Sequence, residues 1–110
     1  MKESEVQQRL VKQLRRHHWF VTVFATGHRV KQQMQDWPDV HAIRWGHAQY
    51  LEIKSATGEP TTGQWEWRNR FMKHSGPYLR HIFVYPWTEL DDILHWGAQY
   101  RPHGMEYPPK

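Results

Sequence analysis

Two short strand-like runs, Val40–Trp45 and Ala48–Lys54, lie only Gly46-His47 apart, and this spacing restricts the fold more than any other feature. Runs so close must pair antiparallel, because a parallel partner requires a crossover of a dozen or more residues. Gly46-His47 fits a two-residue hairpin turn. Every other segment has to be arranged around that hairpin. Upstream, ESEVQQRLVKQLRRHH repeats Val6, Leu10 and Leu14 every four positions with Val11 beside them. This predicts an amphipathic helix, with Arg9, Lys12, Arg15 and Arg16 largely off the apolar stripe. Trp19–Thr26 is β-branched and aromatic and predicts a strand stopped by Gly27. Residues 27–37 follow neither period and predict a mobile polar loop carrying Arg29 and Lys31.

Downstream, Ser55–Pro60 reads as a loop. Thr61 then opens a second helix through Ser75, with Gln64 three residues on as a capping-box partner. Trp65, Trp67, Phe71 and Met72 are expected on its apolar side, and Gly76-Pro77 ends it. His81–Tyr85 predicts a fourth strand. Thr88, with Asp91 three residues later, is expected to cap a last short helix that stops at Gly97. The order α-β-β-β-α-β-α predicts an α/β fold, a small mixed sheet flanked by helices over residues 1–97. Residues 98–110, with three prolines and no period, are expected to be a tail or docking arm.

A chain of 110 residues supports one modest core. No apolar run approaches the ~18–20 residues that cross a bilayer. With no cysteine there is neither a disulfide framework nor a thiolate zinc site, and a cytoplasmic setting is expected. The net charge of +4 suits a polyanionic partner. Nine histidines do not make a zinc site here, since no His-Glu-x-x-His occurs and the adjacent His17-His18 splay apart. Neither a Gly-x-Ser-x-Gly elbow nor a Gly-x-x-x-x-Gly-Lys phosphate loop is present.

The sharpest constellation is Pro38-Asp39 followed by Glu52-Ile53-Lys54. Residues two apart in a strand share a face, so Glu52 and Lys54 project together. The hairpin returns them to the level of Asp39. Two carboxylates and an ammonium at one sheet end suit phosphodiester hydrolysis. Asp39 and Glu52 offer hard oxygens to Mg²⁺, with Mn²⁺ as a substitute, and the ion would activate a water. Lys54 would orient or deprotonate that water and counter the phosphate charge. Glu3 shares the stripe of Val6, Leu10 and Leu14, which faces the sheet, whereas its competitor Glu5 points roughly the opposite way. A helix N-terminus favours acids in any case.

Pro38-Asp39 and Glu52-x-Lys54 in an αβββαβ frame resemble the PD-(D/E)xK nuclease superfamily. More narrowly, the chain resembles the VRR-NUC (virus-type replication-repair nuclease) family from about Glu3 to the last helix. Shared marks are Glu3 opening the first helix, the basic Gly27–Lys31 loop, and Thr61-Thr62-Gly63-Gln64 after Glu-x-Lys. The resemblance implies a restriction-endonuclease-like fold and a catalytic set of Glu3, Asp39, Glu52, Lys54 and Gln64. It also implies a metal held by Asp39, Glu52 and Ile53, the last having only its backbone oxygen to offer. One departure stands out: Trp37 occupies the position before Pro38, where the family usually has a small residue. His41, two residues beyond Asp39, would share its face and line the cleft or serve as a structural histidine.

Arg29, Lys31, Arg15 and Arg68 are the leading phosphate contacts, with Arg16, Arg70 and Lys73 beside them. No recognition-helix motif appears, so DNA structure rather than base sequence is the expected target. The family's small stand-alone members imply a homodimer and branched, Holliday-junction-type DNA, with flap or nicking activity as the near alternative. A non-catalytic DNA-binding module of the same fold, and a protein adaptor using the tryptophan-rich surface and the tail, are the rival classes.

Overall fold

The computed structural model describes residues 2–24 and 36–102. Helix α1 (Glu3–Arg16) is followed by strands β1 (Phe20–Val23), β2 (Val40–Arg44) and β3 (His47–Ile53). Helix α2 (Thr62–Met72), strand β4 (Leu79–Val84), helix α3 (Leu90–His95) and a 3₁₀ turn at Ala98–Tyr100 follow. The fold is therefore α/β, with a four-stranded mixed sheet and three α-helices among the described residues. The sheet order is β1-β2-β3-β4, with β1/β2 and β2/β3 antiparallel and β3/β4 parallel. The parallel pair requires a crossover, and α2 supplies it. No helix among the described residues is long and apolar enough to cross a membrane.

Strand alternation sorts the two sheet faces. Val40, Ala42, Leu51, Ile53 and Val84 meet Val6, Leu10, Val11 and Leu14 of α1 and Ile93 and Leu94 of α3, forming the buried core. Acids in the first turn of α1 and Arg15 and Arg16 in its last turn complement the helix dipole. Polar side chains buried on this face are tied to backbone. Gln49 donates to the Ile93 carbonyl at 2.9 Å and accepts from Arg80 Nε at 2.8 Å, which fastens α3 to the sheet. Arg44 reaches the carbonyls of His17 (2.8 Å) and Trp96 (2.9 Å) and lies over the Trp19 ring.

On the other face, α2 covers an aromatic layer rather than an aliphatic one. Tyr50 contacts Phe71 at 5.2 Å and His41 at 4.6 Å, and Trp67 contacts Phe71 and His81, each at 5.2 Å.

Several expectations are corrected in detail. The hairpin turn is Trp45-Gly46, both with positive φ (49° and 82°), so His47 belongs to β3 rather than to the turn. Thr88 does not cap α3. Its hydroxyl instead accepts the Tyr85 N–H at 2.8 Å, and the helix begins after Glu89 without a side-chain cap. Met72 is 51% exposed and Trp65 46%, so the inner ridge of α2 is Gln64, Trp67, Arg68 and Phe71. The expected tail begins docked, with the Tyr100 ring 4.9 Å from His47 and 5.9 Å from Tyr78. The expected loop's Gly27, Arg29 and Lys31, and tail residues 103–110, lie outside the described residues.

Candidate metal and active site

The register of β2 against β3 pairs Val40 with Leu51, so one step further Asp39 stands opposite Glu52. A turn at Gly46-His47 would instead have set Asp39 against Lys54. Asp39 is fixed by backbone: its Oδ2 accepts the Ile53 N–H at 2.8 Å. In extended backbone the N–H and C=O of one residue point to the same strand edge, so the Ile53 carbonyl is turned toward Asp39 as well. Glu52 is 4% exposed, and its Oε1 accepts Gln64 Nε2 at 2.7 Å.

Gln64 does this while also closing the helix cap. Its Oε1 accepts the Thr61 N–H at 2.9 Å, and Thr61 Oγ1 accepts the Gln64 N–H at 3.1 Å. The capping box therefore aims the amide at Glu52, and the structural and site readings of Gln64 describe one geometry. Lys54 is buried at 6% exposure, and its charge favours the ionised forms of both acids.

The remaining Glu52 oxygen, Oε2, is buried and meets no hydrogen-bond donor. The Glu52 and Asp39 carboxyl groups are close enough to share a proton. Burial, then the Asp39 charge, pushes the Glu52 carboxyl up to about 9. Burial also raises Asp39, opposed by the Ile53 N–H. Two buried carboxylates facing one another need either a proton or a cation between them.

The donor set Asp39, Glu52 and the Ile53 carbonyl fits a hard divalent ion. Among the described residues no three His, Cys, Asp or Glu side chains converge as a metal cluster. Mg²⁺ keeps several waters and binds through one or two carboxylates, so that small set is compatible with it.

Glu3 is exposed at the start of α1, and its charge acts on both Asp39 and Glu52. Its carboxylate also approaches Gly58, where an added Cβ would lie 3.6 Å from Oε1. His41 sits between Phe24 and Tyr50 in the aromatic layer, stacked on both. Arg68 is turned inward: Nη1 reaches the His81 carbonyl at 2.6 Å and His81 Nδ1 at 2.8 Å. Because guanidinium only donates, Nδ1 must accept and the ring is neutral. Arg15 lies twelve residues along α1 from Glu3, about 18 Å at the rise of a helix. Arg15 thus lies far from the acid pair, and Arg68 is spent on an internal contact.

Sequence reading missed His81, which desolvation and Arg68 hold down at about 4. It also missed Asp36, whose carboxylate covers Gly63 in the first turn of α2. No local signal marks either, since both depend on partners brought in by the fold.

These groups set a pH profile for metal-free protein. Between about 4 and 6.5 the unfolded chain protonates His81 and the folded chain does not. Stability therefore falls as pH drops through that window, by up to about 3 kcal/mol. Glu52 acts oppositely: the folded carboxyl keeps its proton up to about 9, whereas the unfolded one loses it near 4.5, so stability falls as pH rises. Above pH 6.5 the His81 contribution is complete and that of Glu52 remains. Thermal melts in EDTA are expected to show declining stability from pH 6.5 to 9, and Glu52→Gln should flatten the decline.

No family model, curated protein or solved structure matches this chain.

Proposed function

We propose that this protein is a Mg²⁺-dependent, structure-selective endonuclease that hydrolyses phosphodiester bonds in branched DNA. In pattern it resembles the VRR-NUC family of PD-(D/E)xK nucleases. The observation carrying this reading is the buried pair of adjacent carboxyls, Glu52 with its Oε2 meeting no donor among the described residues and Asp39 held by the Ile53 N–H. Two buried carboxyls side by side hold either a proton or a cation, and this donor set fits the cation.

A divalent cation bound there would supply Lewis acidity toward the scissile phosphate and activate water at neutral pH. The chain's own residues do the rest. Gln64 holds the Glu52 carboxylate in one rotamer, and the Ile53 N–H holds that of Asp39. Lys54 orients the attacking water and offsets phosphate charge. Glu3 would hold a water at the rim. Arg15, Arg16, Arg70 and Lys73 are exposed cations that could hold flanking phosphates. A homodimer gives a symmetric reason for junction substrates, since two single-cut protomers place nicks on opposed strands. A cysteine-free chain acting on DNA fits the cytoplasm.

The test is end-labelled four-way junction, flap, nicked and linear DNA incubated with Mg²⁺ or with EDTA. Cutting of branched substrates only with Mg²⁺ is expected. Binding without cutting would replace the proposal with a non-catalytic DNA-binding module, and neither result would leave an adaptor.

A further inference from the structure

The proposed chemistry leaves Trp37 unexplained, although it directly precedes the Pro-Asp dipeptide. Its ring is 40% exposed and meets Trp67 edge-on at 5.4 Å and Tyr50 at 6.4 Å. Between Trp37 and α2 lies an open cavity of about 330 Å³, lined by Trp67, Arg70, Phe71 and His74. Trp67, Arg70 and Phe71 are the i, i+3 and i+4 positions of one ridge of α2, and His74 lies in the turn that follows the helix. The ridge and the turn after it therefore present two aromatic rings and two nitrogen-rich side chains to one hollow. Among the described residues no acid lines it.

Packing α2 onto the sheet accounts for Trp67 and Phe71, which stack at 5.2 Å and lie against Tyr50 and His81. It does not account for a half-exposed indole from another segment, or for a basic margin around an aromatic hollow. The volume is near the lower end of small-molecule pockets, about 300–1,000 Å³. It is too small for a duplex and sufficient for one base. A flat π-face with an adjacent guanidinium is how proteins hold unpaired bases irrespective of sequence.

We propose that this cavity takes one unpaired nucleobase of a DNA strand, with Arg70 on the adjoining phosphate, and so sets the strand's path into the acidic site. This rests on the nuclease reading for the identity of the polymer. Trp37 is two residues from Asp39, at most about 7 Å along extended chain. A base held there registers a nearby phosphate over Asp39 and Glu52. It also selects DNA with unpaired or unstacked bases, as junction centres and flaps provide.

The test is fluorescence anisotropy in EDTA with a short single-stranded thymidine oligonucleotide and its abasic counterpart. The wild-type chain is expected to prefer the base-bearing strand by roughly 5- to 100-fold, the range for stacking of a base. Trp37→Ala should abolish that preference while leaving abasic affinity unchanged, and Trp37→Phe should retain most of it. Arg70→Ala should weaken both strands. Equal wild-type affinities for the two strands overturn the pocket, as does a Trp37→Ala variant that keeps the preference. Because no metal is present, the two readings fail separately. Base preference without Mg²⁺-dependent cleavage removes only the nuclease, and cleavage without base preference removes only the pocket.

Discussion

Asp39→Asn is expected to lower Mg²⁺-dependent cleavage of branched DNA by about 10³-fold or more, since it deletes half of the carboxylate pair. The asparagine carbonyl can still accept the Ile53 N–H that Asp39 accepts at 2.8 Å, so the strand end keeps its shape. Loss of activity would then report lost charge and not misfolding. Without metal the same variant should melt higher than wild type, because one of two confronting buried acids is gone. Gel-resolved single-turnover cleavage, with thermal melts in EDTA beside it, checks both halves. A variant that loses cleavage and stability together would place Asp39 in the fold rather than in the chemistry.

Gly97→Ala is expected to be the most damaging small substitution, lowering stability by about 2–5 kcal/mol. Gly97 has φ +74°, and an added Cβ would lie 2.8 Å from His47 Cγ and Nδ1 and 2.9 Å from Cδ2. The ring cannot move aside. His47 is 3% exposed and held by Tyr78 at 5.1 Å, Trp96 at 4.7 Å and Tyr100 at 4.9 Å. Gly46→Ala separates the two causes, since φ is +82° there but nothing among the described residues lies within 4 Å of the added atom. It should cost only the backbone strain, about 1–2 kcal/mol. In melting temperature Gly97→Ala corresponds to a fall of roughly 8–20 °C, read by circular dichroism. Equal losses in the two variants would show that the His47 contact carries no energy.

Element order and sheet class were legible in the sequence because periodicity and turn residues report backbone needs directly. The four-apart spacing of Val6, Leu10 and Leu14 is the buried stripe of α1, and Thr61 with Gln64 is the capping box of α2. The hairpin was legible, but its turn was displaced by one residue. Glycine marks where positive φ is easy, and nothing marked Trp45 as the second residue to adopt it. That single step decides whether Asp39 faces Glu52 or Lys54, so the geometry of the acid pair required the structure. Thr88 misled for a related reason: its hydroxyl takes a turn N–H at Tyr85 rather than a helix N–H. The aromatic layer and the Arg68–His81 contact join distant segments, and no local pattern encodes them.

The central claim is that Asp39 and Glu52 form a cation site that exchanges a proton for a metal. Glu52 holds its proton up to about 9, so at pH 7.5 a bound ion must displace it. Titration calorimetry with Mg²⁺ or Mn²⁺ in two buffers of different ionisation enthalpy measures that proton directly. Saturable binding with close to one proton released per chain is expected, and loss of both in Glu52→Gln. Absence of binding, or binding that survives in Glu52→Gln with the same proton release, would contradict it.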